Sequence, residues 1–158
     1  MRNEWGLGLI VAFSMLLAML LELVPLPHGL SPWRAPWLLV MVVFWGLQLP
    51  SVMGVGFAWV AGLLLDAAMS APLGTHALIF TLASALTFAA RRLLVTFSVL
   101  QQSVWMAALS LMQYGILLLI LPATNTTGLL QTTLSAALFW ILLHAVLYPV
   151  VRPRLRVD

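Results

Sequence analysis

The sequence predicts an all-α integral membrane protein with six transmembrane helices and both termini in the cytoplasm. Three observations carry that prediction. The first is composition: of 158 residues, 63% are hydrophobic and 7% charged, with a mean hydropathy of +1.11. A soluble domain is about 45–50% apolar and about 25% charged. Seven arginines, no lysine and four acids cannot coat a water-soluble surface, which excludes a soluble enzyme and a nucleic-acid binder. The second is a succession of apolar runs near span length, separated by prolines, charges and polar clusters. The third is the placement of the arginines. The absence of cysteine excludes disulfides, thiolate metal sites and cysteine nucleophiles.

The runs define one transmembrane domain over 1–158, with spans at about 7–24, 37–49, 52–69, 76–90, 103–121 and 132–151. Span one ends at the turn-rich Pro25-Leu26-Pro27-His28-Gly29. No small-x-small cleavage site closes it and more spans follow, so it reads as a retained helix rather than a signal peptide. Spans two and three form one apolar stretch broken at Gln48-Leu49-Pro50-Ser51. Pro50 removes a backbone donor and disfavours helix at the residue before it, which predicts a hairpin. Trp37–Leu49 rises only about 20 Å against a hydrocarbon core of about 30 Å, so a re-entrant segment is the alternative there. Span four stops at Arg91-Arg92, and Leu93–Gln102 reads as an interfacial connector. Span five ends at Pro122 and the polar Thr124–Gly128 loop, and span six leads into Arg152-Pro153-Arg154-Leu155-Arg156.

Orientation follows from the arginines, because cytoplasmic loops are enriched in them. With the N-terminus inside, Arg2, Arg91, Arg92, Arg152, Arg154 and Arg156 are cytoplasmic and Arg34 alone is outside. Trp33 and Trp37 then fit an outer aromatic belt, and Trp5 and Tyr148 an inner one.

Span three carries a small-residue stripe, Gly54, Ala58, Gly62, leading to Asp66 at the same interval of four. Small residues let helix backbones approach closely in a membrane. Span four answers with Ala77, Thr81, Ala85 and Ala89, so spans three and four are expected to pack together; the alternative is that Gly and Ala are simply common in membrane helices. Asp66 and Glu22 lie near the outer ends of their spans, on the side of Arg34 and His76. A charge there must pair or reach water. An Asp66–Arg34 pair is expected, and interfacial hydration of both acids is the alternative. Glu22, His28, Asp66 and His76 are possible metal ligands by chemistry, but none has ligand spacing on one helix, so neither metal nor cofactor is predicted. Gln113 and His144 are expected to hydrogen-bond a neighbouring helix. No triad spacing, His-Glu-x-x-His, paired-aspartate signature or Gly-rich phosphate loop is present, which points away from an enzyme. Asn125-Thr126-Thr127 matches a glycosylation acceptor pattern that is frequent by chance.

The central segment supplies a resemblance. Its parts are Trp33-Arg34-Ala35-Pro36-Trp37-Leu38-Leu39, then Phe44-Trp45-Gly46-Leu47-Gln48-Leu49-Pro50, then Gly54 through Asp66, then Pro72-Leu73-Gly74-Thr75-His76-Ala77-Leu78. Together they resemble the bacterial rod shape-determining protein MreD family, as do Leu100-Gln101-Gln102 and the arginine-rich tail. The residues matching the family pattern are Arg34, Pro36, Trp37, Pro50, Gly54, Gly62, Asp66, Leu73, Gly74 and Gln102. The resemblance implies a non-catalytic inner-membrane scaffold of the cell-elongation machinery for side-wall peptidoglycan. It implies MreC as direct partner, with MreB, RodA and its transpeptidase linked to it, and a homo-oligomer is also open. It further implies a fold similar to the membrane substrate-binding subunits of energy-coupling-factor transporters. A small-molecule-binding membrane subunit of a transporter is therefore the alternative function, for which Gln113, Tyr114 and His144 are a thin polar set.

Overall fold

The computed structural model describes residues 2–25, 27, 33–120 and 128–155, with side chains described over 6–25, 27, 33–120 and 128–151. These residues form six helices and no strand: α1 (Arg2–Leu23), α2 (Trp37–Gln48), α3 (Val55–Met69), α4 (Thr75–Leu94), α5 (Val99–Ile120) and α6 (Leu129–Leu155). Four contain stretches long and apolar enough to cross a membrane, Gly6–Leu23, Thr75–Leu94, Val99–Ile120 and Leu129–Val151. The other two, α2 and α3, have 12 and 15 residues and rise only about 18 and 22 Å.

The short α2 is the centre of the molecule. Nine consecutive residues, Leu38 through Gly46, are buried, and α1, α4 and α6 pack around them. A helix that is apolar on every side is one enclosed on every side, and here protein rather than lipid encloses it. Two indole groups fasten neighbouring helices. Trp45 Nε1 donates to Ser14 Oγ at 2.9 Å, tying α2 to α1, and the Ser14 hydroxyl donates onward to the Val11 carbonyl. Trp105 Nε1 reaches Thr87 Oγ1 at 3.3 Å, tying α5 to α4. In both cases a ring that gains from burial keeps its N–H satisfied.

The hairpin expected at Pro50 is present: the Leu49 carbonyl accepts from the Val52 and Met53 amides at 3.1 and 2.8 Å. Two expected boundaries are corrected. α4 does not stop at Arg91-Arg92 but runs on to the buried Leu94, because cations in the last turn complement the helix dipole. α5 begins at Val99 because Ser98 and Gln101 cap it reciprocally. The Ser98 amide donates to Gln101 Oε1 at 2.9 Å, and Ser98 Oγ accepts from the Gln101 amide. The connector read over Leu93–Gln102 is thus reduced to Val95–Ser98. His28 and the Asn125-Thr126-Thr127 pattern lie outside the described residues, as do the side chains of Arg2, Trp5, Arg152, Arg154 and Arg156.

Successive helices alternate in direction, so the bundle has two ends. One carries the 49–54 and 95–98 turns, with Arg91 and Arg92. The other carries the end of α1, the start of α2 and the 70–74 turn, with Asp66 and His76. The outer faces are apolar, with Leu9 and Phe13 on α1 and Leu138 and Leu142 on α6 all exposed.

Candidate functional site at the Asp66 end

The most extensive helix contact among the described residues is α3 against α4, and Gly62 makes it possible. A β-carbon on Gly62 would lie 2.6 Å from the His76 carbonyl carbon and closer still to Ala77 N and Cα. One turn further on is Asp66, fully buried. Its Oδ2 accepts from the Gly74 amide at 2.9 Å and the Ala77 amide at 3.4 Å. Its Oδ1 accepts from the His76 amide at 2.9 Å and from His76 Nδ1 at 2.7 Å. Those amides are the free donors that every helix leaves at its N-terminus. Gly74, the residue at the cap of α4, has no side chain with which to satisfy them. A carboxylate from α3 therefore caps α4, where the positive end of the helix dipole also favours an anion.

The connection between the helices delivers this geometry. Ser70 ends α3 in the left-handed conformation at φ 52°, and the Ala71 amide returns to the Asp66 carbonyl at 3.0 Å. Gly74 turns the chain into α4 at φ +98°, which favours glycine. Thr75 Oγ1 closes the turn on the Pro72 carbonyl at 2.8 Å.

The expected Asp66–Arg34 pair is therefore corrected: the carboxylate is taken up by His76 and the α4 terminus. Arg34 Nε and Nη2 are buried with no hydrogen-bond partner among the described residues. His76 was missed as the partner, although Gly74 two residues before it marked an uncapped helix start. The α4 stripe is also corrected. Ala77 meets Gly62, but Ala85 and Ala89 are exposed, because an interval of four overshoots one turn and winds off the contact face. The buried face of α4 is instead His76, Ile79, Phe80, Ala83, Ser84 and Thr87. On α3, Ala58 is buried, whereas Gly54 begins the helix and a β-carbon there would touch nothing within 4 Å.

The remaining candidates do structural work elsewhere. Pro36 is buried and opens α2, and Trp37 packs edge-on against Phe139 at 4.4 Å. Gln102 Nε2 donates to the Leu94 carbonyl at 2.8 Å, closing the α4–α5 turn. Among the described residues, the helix-to-helix hydrogen bonds expected of Gln113 and His144 are absent at two atoms, since Gln113 Oε1 and His144 Nδ1 have no partner there. His144 is held instead by ring contacts, stacked 5.2 Å from Tyr148 and edge-on to Phe44.

A polar cavity of about 250 Å³ sits beside the Asp66 cap, lined by Glu22, Arg34, His76, Ser110 and Gln113 among others. Glu22 is buried and accepts from the Leu38 amide at 3.2 Å. Among the described residues no three His, Asp or Glu side chains converge as metal ligands.

A family model for the rod shape-determining protein MreD matches residues 3–157. The chain belongs to the MreD family. That membership and the four span-length helices make it a bacterial membrane protein. A similar relative is the rod shape-determining protein MreD of Haemophilus influenzae (strain ATCC 51907 / DSM 11121 / KW20 / Rd), 32% identical over 65 residues. The match covers 41% of this chain and 40% of the length of that MreD protein. No solved structure matches the chain.

Proposed function

We propose that this protein is a non-catalytic scaffold of the cell-elongation machinery, binding MreC directly and linked to MreB, RodA and the RodA transpeptidase. The observation that carries this reading is the family match over nearly the whole chain. The geometry supports it: the buried carboxylate and histidine at the Asp66 end are engaged in holding α3 to α4. In the orientation the arginines favour, the Arg91 end is cytoplasmic, both termini with it. An apolar groove of about 670 Å³ between α1 and α6, lined by Leu17, Leu21, Leu142 and Val146, offers a partner helix a shaped surface.

Affinity capture from native membranes in mild detergent tests the proposal. Stoichiometric recovery of MreC together with wall-synthesis enzymes is expected. Recovery of ATP-hydrolysing subunits in their place would overturn it. A second reading, a small-molecule-binding subunit like those of energy-coupling-factor transporters, is favoured by one feature, the polar cavity beside Glu22 and Arg34. A small molecule co-purifying in that cavity without wall-synthesis partners would support this alternative.

A further inference from the structure

A second cleft, of about 670 Å³, opens at the Arg91 end between the end of α2, the α4–α5 turn and α6. Gln48, Arg91, Gln102 and His144 give it a polar wall, and Leu94 and Ile141 an apolar one. Among the described residues, three buried atoms of these side chains have no hydrogen-bond partner: Arg91 Nε, Gln102 Oε1 and His144 Nδ1. The Arg91 guanidinium makes one hydrogen bond among the described residues, a long 3.4 Å contact from Nη2 to the Leu47 carbonyl. No carboxylate lies within ion-pair distance of it among those residues. Gln102 already spends its amide nitrogen on the Leu94 carbonyl, and its side chain is part of the cleft wall.

Together these groups are a permanent cation, a carbonyl acceptor and an imidazole nitrogen able to serve in either sense. Leaving them unpaired away from water is costly. The chemical complement of the Arg91 guanidinium on the cleft wall is an anionic oxygen. Leu94 and Ile141 stand beside that polar wall as apolar surface for an acyl chain. We propose that this cleft binds an anionic phospholipid, with its phosphodiester at Arg91. Basic pockets between transmembrane helices recognise phospholipid head groups by the same charge pairing. The neighbouring Arg92 is exposed and lies outside the cleft lining, so charge at this end and charge in this cleft are separable.

The test is native mass spectrometry of the full chain in detergent, titrated with phosphatidylglycerol, with phosphatidylcholine, and with inorganic phosphate as competitor. Phosphatidylglycerol is expected to bind more tightly than phosphatidylcholine, and Arg91→Gln to weaken it about tenfold, the loss of one charge-assisted hydrogen bond. Gln48→Glu is expected to weaken it as well, by placing a carboxylate in the cleft while leaving the Arg91–Leu47 contact in place. It therefore reads the charge even if Arg91→Gln fails to fold. Arg92→Gln is expected to bind like the parent protein. Binding unchanged in both cleft variants, or weakened equally by Arg92→Gln, would overturn the proposal. Displacement of the lipid by inorganic phosphate would overturn the lipid as the source of the phosphate.

Discussion

Replacing Gly62 by alanine adds one methyl group at a place where α4 backbone already stands. Its β-carbon would lie 2.6 Å from the His76 carbonyl carbon, and ordinary carbon contacts begin near about 3.5 Å, so α3 and α4 must part by about 1 Å. Backbone cannot rotate away as a flexible side chain would. The same separation acts one turn further on, where Asp66 holds the His76 amide at 2.9 Å, and another ångström takes that contact beyond hydrogen-bond range. Overpacking costs about 1–3 kcal/mol, and weakening a charge-assisted hydrogen bond adds about 1–2 kcal/mol. The expected loss is therefore about 2–5 kcal/mol, with Gly62→Leu worse. Reversible unfolding of the purified protein in mixed micelles by titrated denaturing detergent would measure it. Gly115→Ala is the control, since a β-carbon there meets nothing within 4 Å, and it should be neutral or slightly stabilising. A Gly62→Ala protein as stable as the parent would refute the close approach and the coupling drawn from it.

Three further outcomes are expected from the same unfolding assay. Asp66→Asn should cost about 1–3 kcal/mol by removing the charge from the α4 terminus, and double-mutant cycles should couple Asp66 to His76 and leave Arg34 uncoupled. A cycle showing the reverse would restore the Asp66–Arg34 pair. Gly74→Ala should cost about 1–3 kcal/mol, because φ +98° is a conformation L side chains rarely adopt; an unchanged midpoint would contradict that backbone geometry. Ser14→Ala should cost about 1–3 kcal/mol by leaving the buried Trp45 N–H unsatisfied, and the double variant Ser14→Ala, Trp45→Phe should cost less than the sum of the two single changes. Strict additivity would show that the indole–hydroxyl contact contributes nothing.

The candidate site was partly legible before the fold. The Gly62 stripe identified the contact face of α3, because only a residue without a β-carbon allows such an approach. Asp66 was identifiable as a charge in need of a partner. That partner was not identifiable, because it is chiefly a set of backbone amides, and amides carry no residue identity. The paired arginines at 91 and 92 read as a stop although they sit in the last turn of a continuing helix, where the dipole accepts them.

By itself the sequence determined that this chain lives in a membrane, that it has six apolar helical segments, and that a turn stands at Pro50. Composition, proline and charge are local properties, and those conclusions need nothing else. Tertiary structure alone decided that the short α2 lies at the centre with Leu38 through Gly46 enclosed. Apolar side chains suit lipid and protein interior equally, so hydropathy cannot say which one surrounds a helix. It also decided that Asp66 caps α4, since that depends on the chain reversing through Ser70 and Gly74 to bring the start of the next helix back onto a carboxylate already buried in the last.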